Sequence, residues 1–243
     1  MPLPESERIK FFVFVIESPS AVDLYHRRSE GDIIRQAVNL NGIPCYLLTA
    51  INIEAFEAAL RIGLPEAMEA NPGRVPILHI SAHGFQEGIQ LSNSEILLWA
   101  RLRQLLLPIN KELSNALLVC LSSCEGYAGT RMAMYIEDDG YPFFALIANA
   151  EKPLWSETAI AYSTFYHWLA RGEYVLHALD AMRVASGNKT FFAEMAHESR
   201  QGYINYIQSL NAEAIQTNLE KQAVNDQSGN SIKLRKYGLN QPS

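Results

Sequence analysis

Two apolar, β-prone runs of strand length, at residues 75–82 and 116–122, each lead into a reactive side chain. The first run is followed by His83 and Gly84, and the second by Cys124 with a glycine two residues later. In an open α/β sheet, ligands and chemistry lie just beyond the carboxyl ends of the strands. The separation of 124 − 83 = 41 residues is enough for a crossover between neighbouring parallel strands. The pattern therefore predicts that a histidine and a cysteine meet at one edge of a sheet.

Strand-like and helical segments alternate along most of the chain. This alternation predicts parallel βαβ units, and hence a three-layer α/β/α sandwich with a mainly parallel sheet. Strands are expected at residues 11–16, 43–48, 75–82, 116–122 and 143–148, with a small hairpin at 88–98. Helices are expected at residues 31–41, 53–70, 99–106, 156–170, 173–186 and 191–210. We expect one domain over residues 1–210 and a polar C-terminal extension over residues 211–243.

Composition limits the partners that are expected. The 243 residues are 48% hydrophobic, which suits one large core, and the net charge of −6 argues against nucleic acid as a partner. No apolar run reaches the roughly 18 residues that a membrane helix needs, so no membrane association and no signal peptide are expected. The odd count of three cysteines fits reduced thiols and a cytoplasmic location.

The three cysteines differ in their places along the predicted strands. Cys45 and Cys120 lie inside strands and are predicted to be core residues, whereas Cys124 follows a strand and precedes a turn-forming stretch. A thiol needs a base to become a thiolate, and His83 at the end of the neighbouring strand can supply it. The backbone N–H groups of Gly84 and Cys124 are predicted to form an oxyanion hole.

Two other kinds of site share features with this pattern. His79 and His83 have the same four-residue spacing as Cys120 and Cys124, which suggests a zinc site. Four residues of a strand span about 13 Å, however, so the two ends cannot reach one tetrahedral ion. The nucleophile elbow needs a glycine where Ser122 stands, and it places the histidine after the nucleophile. We therefore expect no metal and no cofactor.

The order strand–His–Gly, then strand–Cys, resembles the caspase-like cysteine peptidases, and most closely their bacterial CHAT branch. The resemblance spans roughly residues 10–190. It is carried by residues 78–84, 88–91, 121–126, 145–149, 165–172 and 178–183 and by Trp155. It implies a caspase-hemoglobinase-like fold and a His83–Cys124 dyad that cleaves protein substrates without a third triad member. It also implies a bacterial defence or cell-death setting, with a regulatory or activating protein partner.

The resemblance also suggests where substrate specificity arises. In such relatives the residue two before the cysteine often lines the pocket for the side chain preceding the cut, and here it is the neutral Ser122. Arg27 and Arg28, in the loop after the first strand, are either surface charges or residues that receive an acidic side chain through bidentate contacts. Glu30 and Asp32 in the same loop would instead favour a basic side chain.

A further pocket wall is expected after the fifth predicted strand, where Glu151 or Trp155 would face the substrate, and the alternative for Trp155 is a place in the core. The alternative to a peptidase is a catalytically silent caspase-like module that acts by binding a partner protein. The intact His83, Gly84 and Cys124 favour the peptidase, because a silent module is free to lose any of them.

Overall fold

A mainly parallel sheet forms the middle layer of the first of two units, residues 1–200 and 201–243, into which the chain divides. The computed structural model describes residues 10–213 and 215–216. The strands are β1 (Phe11–Ser18), β2 (Cys45–Thr49), β3 (Val75–Phe85), β4 (Gly88–Gln90), β5 (Ile96–Leu98), β6 (Leu118–Ser122), β7 (Ala145–Asn149) and β8 (Phe191–Met195). The six strands of the main sheet lie in the order β2-β1-β3-β6-β7-β8, and only β8 is antiparallel to its neighbour.

Helices cover both faces of this sheet, so the expected three-layer α/β/α fold is confirmed. The helices are α1 (Ala21–Tyr25), α2 (Glu30–Leu40), α3 (Ile53–Ala58), α4 (Leu64–Glu69), α5 (Trp99–Glu112), α6 (Trp155–Ala170) and α7 (Val175–Ser186). Helices α2, α6 and α7 pack on one face, and α3, α4, α5 and a 3₁₀ helix pack on the other. The 3₁₀ helix spans Gly126–Ala133, and a π-helical turn, Ala59–Gly63, joins α3 to α4.

Strand β1 shows why the sheet is buried on both faces. Successive side chains of a strand point to opposite faces, and here Phe12 and Phe14 enter one core whereas Val13 and Val15 enter the other. Continuous apolar runs of this kind are typical of parallel strands that helices cover on both sides. The chemistry of the sheet is therefore confined to its edges and to the loops beyond its strand ends.

The carboxyl end of β3 leaves the main sheet. Within the sheet β3 pairs with β6 as far as Ser81, which lies opposite Ser122. The last three residues of β3, beginning at His83, pair antiparallel with β4 of the small hairpin. The expected hairpin is thus present, and it fixes the backbone of the His83 motif.

Three segments differ from the sequence expectation. Residues 191–195 form strand β8 rather than the start of a helix, because they pair with the otherwise open edge of β7. The loop after β1 contains the short helix α1. The helix expected over residues 53–70 contains a π-helical turn in its middle.

The last residues of the first unit and the described residues that begin the second unit are helical. Residues 196–200 are helical in the first unit, as are residues 201–213 of the second. Most of the predicted polar extension, residues 217–243, lies outside the described residues, and the division expected at residue 210 stays a prediction. None of the described helices combines the length and the apolar character that crossing a membrane requires.

Candidate active site

The His83 and Cys124 motifs are in direct contact at the carboxyl edge of the sheet. Ser81 and Ser122 lie opposite each other, and His83 and Cys124 each follow two residues later. A Cβ atom added to Gly84 would lie 2.3 Å from the carbonyl oxygen of Cys124. The two backbones therefore approach more closely than any other residue type would allow at position 84. The structure thus brings together the residues that the sequence placed at one sheet edge.

Cys124 lies in a tight turn between β6 and the 3₁₀ helix. The following residue, Glu125, has a φ of 54°, in the left-handed region that non-glycine residues seldom adopt. Its backbone N–H donates a hydrogen bond of 2.7 Å to the carbonyl oxygen of Glu151, and its carboxylate lies 3.3 Å from Lys152 Nζ. The loop after β7 therefore holds the turn that carries the cysteine.

Burial separates the three free thiols. Desolvation raises the pKa of Cys45 and of Cys120 to about 12. It also raises the pKa of the half-buried Cys124 above its ordinary value, an effect that the nearby Lys152 opposes. Because the Cys124 thiol is protonated near neutral pH, its attack on a carbonyl requires a base to take the proton.

His83 lies beside a carboxylate that the sequence analysis missed. The Nε2 atom of His83 is 3.7 Å from Oδ2 of Asp23, and the Asp23 side chain is only 15% exposed. Asp23 is in α1, whose N-cap Ser20 accepts a hydrogen bond from the Asp23 backbone N–H. A serine followed three residues later by an aspartate was the available signal for this helix start.

The predicted substrate residues lie around the same edge. The ring of Trp155, the first residue of α6, is centred 6.2 Å from the His83 ring. Arg28 is exposed, with Nη1 3.7 Å from Oδ1 of Asp23, and the exposed Arg27 has a φ of 53°. Glu151 is also exposed. Their roles in binding a substrate stay predictions.

Ser122 faces a buried acid rather than an open pocket. Its hydroxyl donates to both carboxylate oxygens of Glu30 at 2.8 Å, and the hydroxyl of Ser81 donates to the same carboxylate. Glu30 is 3% exposed, and desolvation raises the pKa of its carboxyl, with the nearby Glu17 adding to the effect. An acid that the sequence placed in a polar loop thus contacts the last residue of β6, two residues before Cys124.

The raised pKa of Glu30 predicts how stability changes with pH. Above pH 4.5 the folded protein binds a proton at Glu30 more readily than the unfolded chain does. The contribution of Glu30 to the free energy of unfolding therefore falls as the pH rises above 4.5. Glu30→Gln cannot ionise, and we expect it to be at least as stable as the wild type at pH 7.5. Urea unfolding between pH 4.5 and 8 measures this difference.

The exposed Glu112 on α5 supplies the matched control, because Glu112→Gln makes the same chemical change without burial. It should leave the pH profile of stability unchanged. A loss of more than about 1 kcal/mol in Glu30→Gln at pH 7.5 would contradict the prediction, since it would mean that the charged carboxylate stabilises the fold.

Comparison with known proteins identifies the family. The CHAT domain matches residues 13–150, a segment that includes most of β1, all of β3 and β6, and both strand-end motifs. The chain belongs to the CHAT family. This places it among the caspase-like cysteine peptidase families, as the sequence motifs indicated. No curated protein matches the chain.

One solved structure similar to this CHAT protein is that of gingipain R, an Arg-specific cysteine proteinase. The similarity covers 76% of this chain and 48% of that one, at 11% sequence identity and a TM-score of 0.45. The chain therefore spans about half the length of that protein.

Proposed function

We propose that this CHAT protein is a cysteine endopeptidase in which His83 and Cys124 form the catalytic dyad. The observation that carries the proposal is the contact between the two strand-end motifs, where Gly84 lies against the carbonyl of Cys124. If the contact served only to pack two buried strands, neither side chain would need to be accessible. Here the thiol is half-buried and the imidazole is 42% exposed at the same edge. A thiol and a base that meet in this way are the elements of nucleophilic catalysis.

The proposed reaction proceeds through a thioester. His83 removes the proton from the Cys124 thiol as sulfur bonds to the carbonyl carbon of the scissile peptide. The oxyanion then accepts hydrogen bonds from the N–H groups of Gly84 and Cys124. His83 protonates the leaving amine, and the C–N bond breaks. In the second half His83 activates water, which hydrolyses the thioester and regenerates the thiol.

Cleavage-site profiling on a proteome-derived peptide library tests the proposal, with Cys124→Ala as the matched control. Cuts that occur with the wild type and vanish in the variant would support a cysteine peptidase. If neither protein cuts, a catalytically silent interaction module becomes the better interpretation. Probing Cys124 with a thiol-reactive peptide electrophile would then distinguish such a module from an inactive enzyme that awaits a partner.

The same profiling tests whether Arg27 and Arg28 select an acidic side chain before the cut. Both are exposed in the loop beside the dyad, where guanidinium groups can bind a carboxylate. The double variant Arg27→Ala/Arg28→Ala is expected to reduce any acidic preference at least about tenfold, the loss of one charge-assisted contact. Arg35→Ala, which removes an exposed arginine on α2, is the control. An unchanged preference in the double variant would remove this assignment.

The proposed defence setting follows from the family, and the proposed location follows from the free thiols. A peptidase of this kind would act in the cytoplasm, where three free thiols stay reduced, within a bacterial defence or cell-death system. An activating protein partner would control it.

A further inference from the structure

We propose that Asp23 is a positioning residue that fixes the proton and the ring orientation of His83. The inference rests on the proposed His83–Cys124 dyad and adds a third residue to it. The 3.7 Å pair between Asp23 Oδ2 and His83 Nε2 is its geometric basis. The Asp23 side chain is 85% shielded from solvent, so its charge acts on the imidazole with less screening than a fully exposed carboxylate would.

Two neighbours fix the Asp23 carboxylate. The hydroxyl of Ser20 donates a hydrogen bond of 2.5 Å to Oδ2, and the N-cap bond from the Asp23 N–H to Ser20 closes the same turn. On the other side, Arg28 Nη1 lies 3.7 Å from Oδ1. The helix α1 thus presents the carboxylate to His83 from the loop that follows β1. Among the residues that the structure describes, Asp23 is the acid that lies within ion-pair distance of His83.

A carboxylate beside Nε2 selects one form of the neutral imidazole. It favours the tautomer with the proton on Nε2 and leaves the lone pair of Nδ1 free to accept the proton of the Cys124 thiol. At 3.7 Å the pair is too long for a hydrogen bond in the free protein. When Nδ1 takes up the proton, the imidazolium attracts Asp23 more strongly, and the contact shortens as catalysis begins.

The isosteric variant Asp23→Asn tests this role. It removes the charge and keeps the size and the capping geometry of the side chain. We expect its kcat to fall about 10- to 100-fold, as for a misplaced catalytic group, while KM changes less than about twofold. We expect Asp23→Glu to recover part of that loss. The substrate is the peptide that the wild type cleaves best in the profiling experiment.

A second measurement does not depend on activity. ¹⁵N chemical shifts of the His83 ring, recorded on the full chain, report which nitrogen carries the proton. The wild type should show the Nε2–H tautomer, and Asp23→Asn should lose that preference. Asp180→Asn, which removes the charge from an exposed pair with Arg183 at 3.0 Å, is the matched control and should change neither measurement.

The outcomes separate this inference from the proposed function. Unchanged ring shifts in Asp23→Asn would overturn the positioning role, whether or not the protein cleaves peptides. Changed ring shifts in a protein that cleaves nothing would support the effect of Asp23 on His83 and count against the peptidase. An Asp23→Asn variant with the wild-type kcat would also overturn the role.

Discussion

Replacing Cys124 by alanine is expected to abolish peptide cleavage, with a loss of at least about 10⁴-fold in kcat, because the sulfur that forms the thioester is gone. His83→Ala should lose nearly as much, since the Cys124 thiol has a raised pKa and is not ionised without a base. The measurement is the cleavage rate of the best library peptide at equal protein concentration.

The other two cysteines provide the controls for this prediction. Cys45→Ala and Cys120→Ala remove thiols that lie within strands, and both variants should keep the wild-type kcat. Cys120 is fully buried, so its variant is also expected to lose about 1 kcal/mol of stability, which urea unfolding measures. An equal loss of cleavage in Cys120→Ala at unchanged stability would contradict the assignment of Cys124.

Alkylation by iodoacetamide gives an independent measurement of the difference in reactivity between Cys124 and the other two cysteines. With a pKa of about 12, Cys45 and Cys120 carry roughly 10⁻⁴ thiolate at pH 8, and only the thiolate reacts. Peptide mapping by mass spectrometry should therefore find Cys124 modified at least about tenfold faster than the other two. Faster modification of either buried thiol would contradict this order.

The sheet and the closeness of the two strand-end motifs were predictable because their signal is local. Each buried strand is a continuous apolar run, and the residue that follows it lies at the strand's carboxyl end whatever the details of packing. Ser81 and Ser122 pair in register, so His83 and Cys124 reach the same level of the edge. Knowledge of two strands was sufficient to place the two residues together.

The features that escaped prediction depend on contacts between distant segments. Strand β8 exists because residues 191–195 pair with the edge of β7, and nothing in their own periodicity requires it. In the sequence, Glu30 has the features of a charged loop residue. Only the structure shows that the hydroxyl groups of Ser81 and Ser122 donate hydrogen bonds to it. Asp23 and His83 are 83 − 23 = 60 residues apart, and no local pattern joins them.

Replacing Gly84 by alanine is expected to impair both cleavage and stability. The new Cβ would lie 2.3 Å from the Cys124 carbonyl oxygen and 2.7 Å from Ser123 Cβ. A backbone oxygen and a Cβ cannot rotate away as a flexible side chain can, so β3 and the turn at Cys124 must separate. We expect a loss of about 1–3 kcal/mol in the free energy of unfolding, typical of overpacking. Because a displacement near 1 Å misplaces both the base and the oxyanion donors, kcat/KM should fall at least about 100-fold.

Two comparison variants isolate this contact. Ser123→Ala removes one atom next to the same contact. The Ser123 hydroxyl is buried and has no hydrogen-bond partner among the described residues. Its removal should therefore preserve cleavage and not reduce stability. Gly202→Ala adds the same methyl group where no atom lies within 4 Å, and it should leave cleavage unchanged. Wild-type kcat/KM in Gly84→Ala would show that the close approach at position 84 is not needed. If Gly84→Ala does not fold while Ser123→Ala remains stable and active, the steric argument stands, because the two variants differ in whether the backbone must move.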